Sequence, residues 1–590
     1  MKKKLIYLGL WAAMLLSATS CESVYDYGDS DRIDYDQIFD DYTLTKYYLS
    51  NCYTNVQTFS CWSMGNTFAG VYTDEAQDAQ DVMASNASKY YNGEMISSNI
   101  LTDSDLYEDL YEGIKHCNIF LENLDNVEVF TYEQFRDRWR AEVYLLRGYY
   151  HWQLIKHYGP MPIIKEVLPV DYDYSTVVRP TFQECIDEII ADCEKALSYN
   201  TLLWRIDDST QSGTFTAGIA YAIMSQATLF AASPQWNPDN DLELWQTAVK
   251  YSKLALDELP AYYSLYETAQ SLSGSYGAYQ DLFLSAINVG FSPGNTEYIQ
   301  FNKNSFAIWD TYGLPCRKDE GVTKAGVSPS QELVDAYETL DGEPILDLEQ
   351  PYLDADHLVP NYNPKALKEN GGMYDPENPY ENRDQRMRST VYVNGDYHDQ
   401  DSNTTLVETF VGGNCGISTT SNLYTRTGYY LRKFINWNDT KTSESGAYWA
   451  HLRMAEMYLN YAEALLESEG ATAEAYEAVN KIRRRAGQPD LPAGLSTDEF
   501  RLRLRAERRV EFAFEEHRYY DLRRWLINQD YEGVVTGMQI EKQTDDSFTY
   551  TRIPVSKRNV TDEKYRLFPV PLAEQLRFEN VGVNIQNPGW

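Results

Sequence analysis

Side chains able to act on a substrate are plentiful here but poorly arranged for it. With 88 Asp plus Glu in 590 residues, adjacent carboxylates such as Glu515-Glu516 arise readily. Glycoside hydrolysis needs two carboxyls flanking one bond, whereas neighbours on a helix diverge by about 100°. The seven His are scattered. His151 and His157 do not share the helix face that zinc ligands need, and His116 and His517 read as packing or hydrogen-bonding residues. The patterns G-x-S-x-G, H-E-x-x-H, G-x-x-x-x-G-K-[ST] and G-x-G-x-x-G are absent from the sequence. From Glu507 to Arg524, acids alternate with Arg508, Arg509, Arg518, Arg523 and Arg524. This pattern reads as ion pairing along a helix, worth roughly a few tenths of a kcal/mol per exposed pair. Cys52, Cys61, Cys117, Cys185, Cys193, Cys316 and Cys415 include no C-x-x-C and read as small core residues, with Cys52 and Cys61 able to pair. No active site, metal centre or cofactor is expected.

The elements that would position a site are helical. Trp139, Val143, Leu146, Tyr150 and Leu154 step by four and three and mark one buried stripe, ended by Tyr158-Gly159-Pro160. Leu452, Ala455, Leu459, Ala462 and Leu466 form a second stripe. Ala248, Ser252, Ala255 and Pro260 share their offsets with Ile189, Cys193 and Ala196, and with Ala475, Val479 and Ile482. Small, bulkier, small, then a stop resembles the second half of a tetratricopeptide repeat. Helix pairs are expected at about 132–199, 214–259 and 447–486, with a fourth helical run from Thr497 to Asn528. Trp139, Trp152, Trp449 and Trp525 fall on helix patterns and are assigned to the core. Between about 262 and 445, Gly, Asn, Ser, Pro and Tyr cluster, and long irregular segments on a rigid scaffold are where binding residues sit.

Charge and leader bound the partners. A net charge of −37 repels phosphate backbones, which excludes nucleic acid. The mean hydropathy is −0.52, and no stretch past the leader approaches the roughly 20 apolar residues of a membrane span. Lys2 to Lys4, an apolar run from Leu5 to Leu16 and the small residues Ser17 to Ser20 read as a secretory signal over 1–20. Cys21 follows directly, in the order of a bacterial lipoprotein signal, with Ala18 where Leu is usual. Acylation at Cys21 would anchor the body to a membrane. Residues 21–41, rich in Asp and Tyr, read as a solvated tether, and 42–590 as a single domain.

Several motifs together resemble the SusD/RagB family. They are Pro329-Ser330-Gln331-Glu332-Leu333, Arg383-Asp384-Gln385-Arg386, Gly428-Tyr429-Tyr430-Leu431-Arg432-Lys433-Phe434, and Leu452 to Ala464. With them go Glu507 to Trp525, the end from Phe568-Pro569-Val570-Pro571 to Trp590, and Leu146 to Tyr150 and Tyr158 to Pro162 in the other half. The resemblance implies a mainly α fold of about four tetratricopeptide-like helix pairs with a large loop-rich ligand-binding region. It also implies a non-catalytic lipoprotein, exposed on the outer membrane, that binds nutrient, usually a glycan or oligosaccharide, and hands it to a SusC-like TonB-dependent transporter. A tetratricopeptide-type protein–protein scaffold and, further off, a glycoside hydrolase are the alternative readings.

The family's ligand contacts lie in no fixed motif, so the chemistry of sugars must suggest them. Sugars offer apolar C–H faces and hydroxyl edges, which aromatic platforms beside Asn, Asp or Arg would meet. Trp309 and Tyr312 lie in the irregular region beside polar neighbours. Tyr90, Tyr91 and Asn92 stand in an Asn/Ser-rich stretch ahead of a helix. Trp62, Trp236 and Tyr276 complete the candidates. The surplus of 49 Tyr over 21 Phe and 12 Trp suits wet, ligand-facing surfaces as well as cores.

Overall fold

The four-and-three stepping of apolar side chains is realised as a string of helices, each packed on the next. The computed structural model describes residues 34–56, 69–101, 106–126, 133–206, 213–267, 277–284, 295–301, 313–320, 322–398, 405–435 and 449–590. In chain order the main helices are α1 (Tyr42–Cys52), α2 (Leu106–Asn123), α3 (Glu133–Tyr158), α4 (Phe182–Ser198), α5 (Ala217–Ala232) and α6 (Leu242–Glu258). After the irregular region come α7 (Met454–Glu469), α8 (Ala473–Arg485), α9 (Thr497–Glu511) and α10 (His517–Arg524). Starts are set by polar caps. Thr181 and Ser496 each accept from the backbone of Glu184 and Glu499 and receive those side chains in return, as capping boxes.

The pairs are α1 with α2, α3 with α4, α5 with α6, and α7 with α8, and α7 also packs on α5 and α6, so the array resumes across the long insertion. The repeat positions Ser252, Cys193 and Val479 are fully buried, as their spacing predicts, and Ser225 and Ser252 share a hydrogen bond of 2.9 Å between α5 and α6. Trp139, Trp152, Trp449 and Trp525 are core residues. Close approach is built in at Gly113 on α2, where a Cβ would stand 2.6 Å from the Tyr150 ring. The Tyr150 hydroxyl donates to the Cys52 carbonyl (2.7 Å) and ties α3 to the end of α1.

Three expectations change. The pair α1/α2 carries no repeat signature in the sequence, yet it is the first pair. The run Thr497 to Asn528 is not one helix: Phe514 and Glu516 take left-handed φ values of 62° and 70°, which separates α9 from α10. The acidic stretch to Asp41 is not wholly a tether. From Tyr35 to Phe39 it is a capped helical turn, and the buried Phe39 packs on Tyr48 and Phe120 at 5.2 and 5.9 Å.

Strands occur as antiparallel pairs: β1 (Ala76–Asp78) with β3 (Val327–Pro329), β2 (Tyr298–Phe301) with β6 (Ala450–Arg453), β4 (Val391–Tyr392) with β5 (Tyr430–Leu431), and β7 (Val534–Lys542) with β8 (Phe548–Lys557). In the pair β2–β6, Tyr298 stands opposite Arg453 and Phe301 opposite Ala450. This pairing zips together the two ends of the insertion they enclose.

The charges from Glu507 to Arg524 do not simply pair along one helix, as their alternation suggested; most are buried and paired with distant elements. Glu507, Glu511 and Glu515 step by four and receive guanidiniums from distant elements. Arg453 donates to Glu511 (2.6 Å), to Glu297 (2.8 Å) and, by two bonds, to Glu515 (2.6 and 2.8 Å). Arg386 donates to Glu507 (2.6 Å) and Glu511 (3.1 Å). Arg485 pairs with Glu511 and with Glu297. On α7, Glu463 accepts from Arg524 (2.7 Å), and Asn460 accepts from Arg508 (2.9 Å). Burial pushes the Glu511 carboxyl up, but Arg485, Arg453 and Arg386 more than reverse this and hold it far below the usual range.

Removing one member of such a set leaves buried charges unpaired, at a cost of about 3–5 kcal/mol. Glu511→Ala is therefore expected to lower unfolding free energy by about that much in denaturant titrations. Arg484→Ala, which breaks solvent-screened pairs with Glu477 and Asp490 that are about half exposed, should change it far less. Equal effects of the two substitutions would contradict this reading.

Candidate functional site

Described residues from several parts of the irregular region and its borders meet at one place on the helical frame. Residue 301 ends β2 and residue 449 immediately precedes β6, so the chain leaves and re-enters side by side. Phe434, at the end of another described stretch, packs on Trp449 (5.6 Å between ring centroids) and on Phe283 (5.3 Å). The rings Phe283, Phe434 and Trp449 thus gather beside the β2–β6 pair.

At this mouth the frame presents a small hollow of about 40 Å³, lined among others by Trp152, Gln226, Gln300, His451 and Trp449. Its polar groups are chained. Trp152 Nε1 donates to Gln226 Oε1 (3.0 Å), and Gln226 Nε2 donates to Glu456 Oε1 (2.6 Å). Glu456 Oε2 has no hydrogen-bond partner. Burial raises this carboxyl to about 7, only partly opposed by Arg508. Beside it, burial keeps His517 neutral, and its ring stacks on Phe512 at 4.2 Å.

The two adjacent carboxylates part: only Glu516 lines the hollow, while Glu515 is turned into the ion network. Glu515 is held by Arg453 and by Lys433 (2.7 Å), and Glu516 is the left-handed cap of α10. His151 and His157 each bond a carbonyl of their own helix, those of Arg147 and Gln153. His116 bonds the Tyr48 hydroxyl at 3.1 Å. Among the described residues no group of three or more His, Cys, Asp or Glu could hold a metal ion. Cys52 is a buried free thiol; Cys61 lies outside the described residues.

The ring candidates divide. Tyr90 and Tyr91 end a helical turn, Asn86–Tyr91, instead of preceding a helix, and both are buried. The Tyr90 hydroxyl accepts from Arg523 (3.1 Å), and its ring meets Tyr72 and Phe568. The Tyr91 hydroxyl accepts from Gln77 (2.7 Å), with Arg558 over its ring. These two rings are structural; Asn92 beside them is exposed. Trp236 is half-buried and stacks flat on Phe182 at 4.1 Å, so that face is taken. Trp62, Tyr276, Trp309, Tyr312 and the proposed lipidation site Cys21 lie outside the described residues.

Comparison with known proteins agrees with this architecture. The profile described as "SusD family" matches residues 292–590, and one described as "Starch-binding associating with outer membrane" matches 29–229. SusD-like protein P2 of Formosa agariphila is 31% identical over 154 residues, 25% of this chain and 27% of that protein. The chain thus matches little more than a quarter of that relative's length. SusD-like protein P25 of the same organism is 25% identical over 451 residues, 74% of this chain and 72% of that one. A crystal structure of a SusD-like protein from Bacteroides fragilis has a TM-score of 0.73 at 24% identity, covering 95% of this chain and 99% of that chain.

The hollow makes one pH-dependent prediction. Between the ordinary carboxyl value of 4.5 and about 7, native Glu456 keeps a proton that the unfolded chain has released. Stability from this group is complete below that window and falls as pH rises through it, by at most about 1.4 kcal/mol per pH unit. Glu456→Gln copies the protonated form and removes the slope. The variant should therefore gain on the wild type in denaturant titrations between about pH 4.5 and about pH 7, and parallel profiles would refute the assignment.

Proposed function

The chain belongs to the SusD family, and on that premise we propose that it is a lipid-anchored, surface-exposed outer-membrane protein that binds a glycan and passes it to a TonB-dependent transporter without chemistry. The observation that carries the reading is the β2–β6 pair, which sets Phe301 opposite Ala450 on the helical frame, with Phe434 packed on both Trp449 and Phe283. Trp309 and Tyr312, which follow β2 in the sequence, are the proposed stacking platforms. A ring face and a sugar's C–H face exclude water from one another, while adjacent polar side chains bond the hydroxyls; such sites hold a ligand by shape and need no activated group. The family profile over 29–229 carries a description that names starch binding and the outer membrane, which supports both the ligand class and the address. The acids from Glu507 to Glu515 that a hydrolase would need are held by Arg386, Arg453, Arg483 and Lys433. This favours holding over cleaving.

Affinity electrophoresis against a panel of polysaccharides tests the reading. Wild type should be retarded by at least one of them. Trp309→Ala should weaken that retention about tenfold, the size of a central aromatic contact, and no product should be released. In cells, palmitate labelling should depend on Cys21 and be abolished by Cys21→Ala, and the transporter should co-purify. A protein that no polysaccharide retards and that no transporter accompanies would refute the proposal.

A further inference from the structure

A separate basin of about 280 Å³ opens on the hairpin β7–β8, lined among others by Asn394, Glu408, Phe410, Phe548 and Tyr550. Its walls come from three stretches stitched by backbone bonds. Val411 N–H donates to the Ile540 carbonyl (2.8 Å), Gly395 N–H to the Val407 carbonyl (2.9 Å) and Val407 N–H to the Asp396 carbonyl (2.8 Å). Tyr380 backs the third wall. It meets Tyr550 edge to face (5.6 Å, 84°) and is bonded through the Tyr429 hydroxyl (3.2 Å).

Three rings on these walls are half-buried: Phe410, Phe548 and Tyr550. Phe410 and Phe548 sit 5.7 Å apart at 37°, forming a shallow trough. The polar groups around them are of two kinds. Arg388 and Lys542 are taken, by Glu381 with Asp396 and by Asp546 respectively. By contrast, the Tyr550 hydroxyl, Asn394 Nδ2 and the Glu408 carboxylate have no hydrogen-bond partner among the described residues, although Asn394 Oδ1 accepts from Thr409 N–H (3.0 Å).

We propose that this basin is a second ligand site, and that it takes a neutral oligosaccharide. The inference rests on the glycan reading above and adds a subsite and a charge preference to it. Ring faces beside unpartnered hydroxyl, amide and carboxylate groups match the alternation of C–H faces and hydroxyls on a sugar. The volume lies near the lower edge of small-molecule sites, which start at roughly 300 Å³, so the basin grips a short stretch of a chain. Arg388 and Lys542 are committed to Glu381, Asp396 and Asp546, and Glu408 adds a further carboxylate near Lys542, so a uronate or sulfated sugar would meet more acid than available cation and be repelled.

Calorimetry with malto-, cello-, xylo- and manno-oligosaccharides, an oligogalacturonate and a set of hydrophobic peptides separates the cases. In a Trp309→Ala/Tyr312→Ala background, at least one neutral oligosaccharide should still bind. Adding Phe548→Ala or Tyr550→Ala should weaken it about tenfold or more. Asn394→Asp, which keeps an oxygen for the Thr409 N–H and loses only the Nδ2 donor, should weaken it as well. Glu408→Gln should let the oligogalacturonate bind. If the Trp309/Tyr312 variant binds no sugar while wild type does, the basin is overturned and the glycan reading stands. If wild type binds no sugar, both fall. Peptides bound through Phe548 and Tyr550 would overturn the ligand class.

Discussion

One carboxylate, Glu511, organises much of the molecule. It is reached by Arg386 from the irregular region, by Arg453 at the junction of β6 and α7, and by Arg485 from the end of α8. Its backbone carbonyl accepts from the Tyr279 hydroxyl (2.8 Å) and from Arg453 Nη2 (2.9 Å). Three sections of chain far apart in sequence thereby converge on the end of α9. Taking such charges out of water is expensive, and a well-packed apolar cluster of equal volume can match or exceed the net stability of a buried ion set. What the ions add is directional: a guanidinium fork accepts only carboxylates placed to suit it. In a chain whose insertion could pair with the frame in several registers, that selectivity decides which strands meet.

The network also lies directly under the mouth. Glu297, which takes Arg453 and Arg485, immediately precedes β2, and Arg453 is the last residue of β6. Lys433, beside the Phe434 anchor, is bonded to Glu515, Tyr279 and the Ala513 carbonyl. The strand pair β2–β6 is thus clamped from below by charge and from the side by rings. Groups carried on so fixed a base have little freedom left to lose on binding, which is the general route to affinity without many contacts.

What could be read from residue order follows from the range of the interactions. Local stepping identified α3, the small-residue helices and their pairing, and the core tryptophans, because a helix face is fixed by its own neighbours. The first pair, α1 and α2, escaped detection because Tyr48, Cys52 and Gly113 show no small–bulky–small period; they are explained by Tyr150, which lies on another helix. The charges of α9 misled for the same reason. Their alternation is that of ion pairs along one helix, and partners as distant as Arg386 and Arg453 meet Glu507 and Glu511 instead. A clue did exist on α7, where Arg453, Glu456, Asn460 and Glu463 recur at three and four among alanines and leucines, a polar stripe on the face that packs. The hairpin basin was half legible: Phe548 and Tyr550 alternate on one strand face, but Asn394 and Glu408 reach it from more than a hundred residues away.

The tyrosines show why ring content alone does not locate a ligand. Many buried hydroxyls are committed to the frame: Tyr150 to Cys52, Tyr263 to Trp204, Tyr279 to Glu511, Tyr429 to Gln331 and Tyr520 to His157. In each, the ring fills the core as Phe would, and the hydroxyl joins two elements that Phe could not join. The excess of Tyr over Phe is thus largely a bonding device of an irregular fold, whose loops leave many carbonyls to satisfy. Availability of the hydroxyl is therefore a better guide to binding than exposure of the ring. By that criterion Tyr90 and Tyr91 belong to the frame, whereas Tyr550 keeps a half-buried ring and a hydroxyl that no described residue bonds.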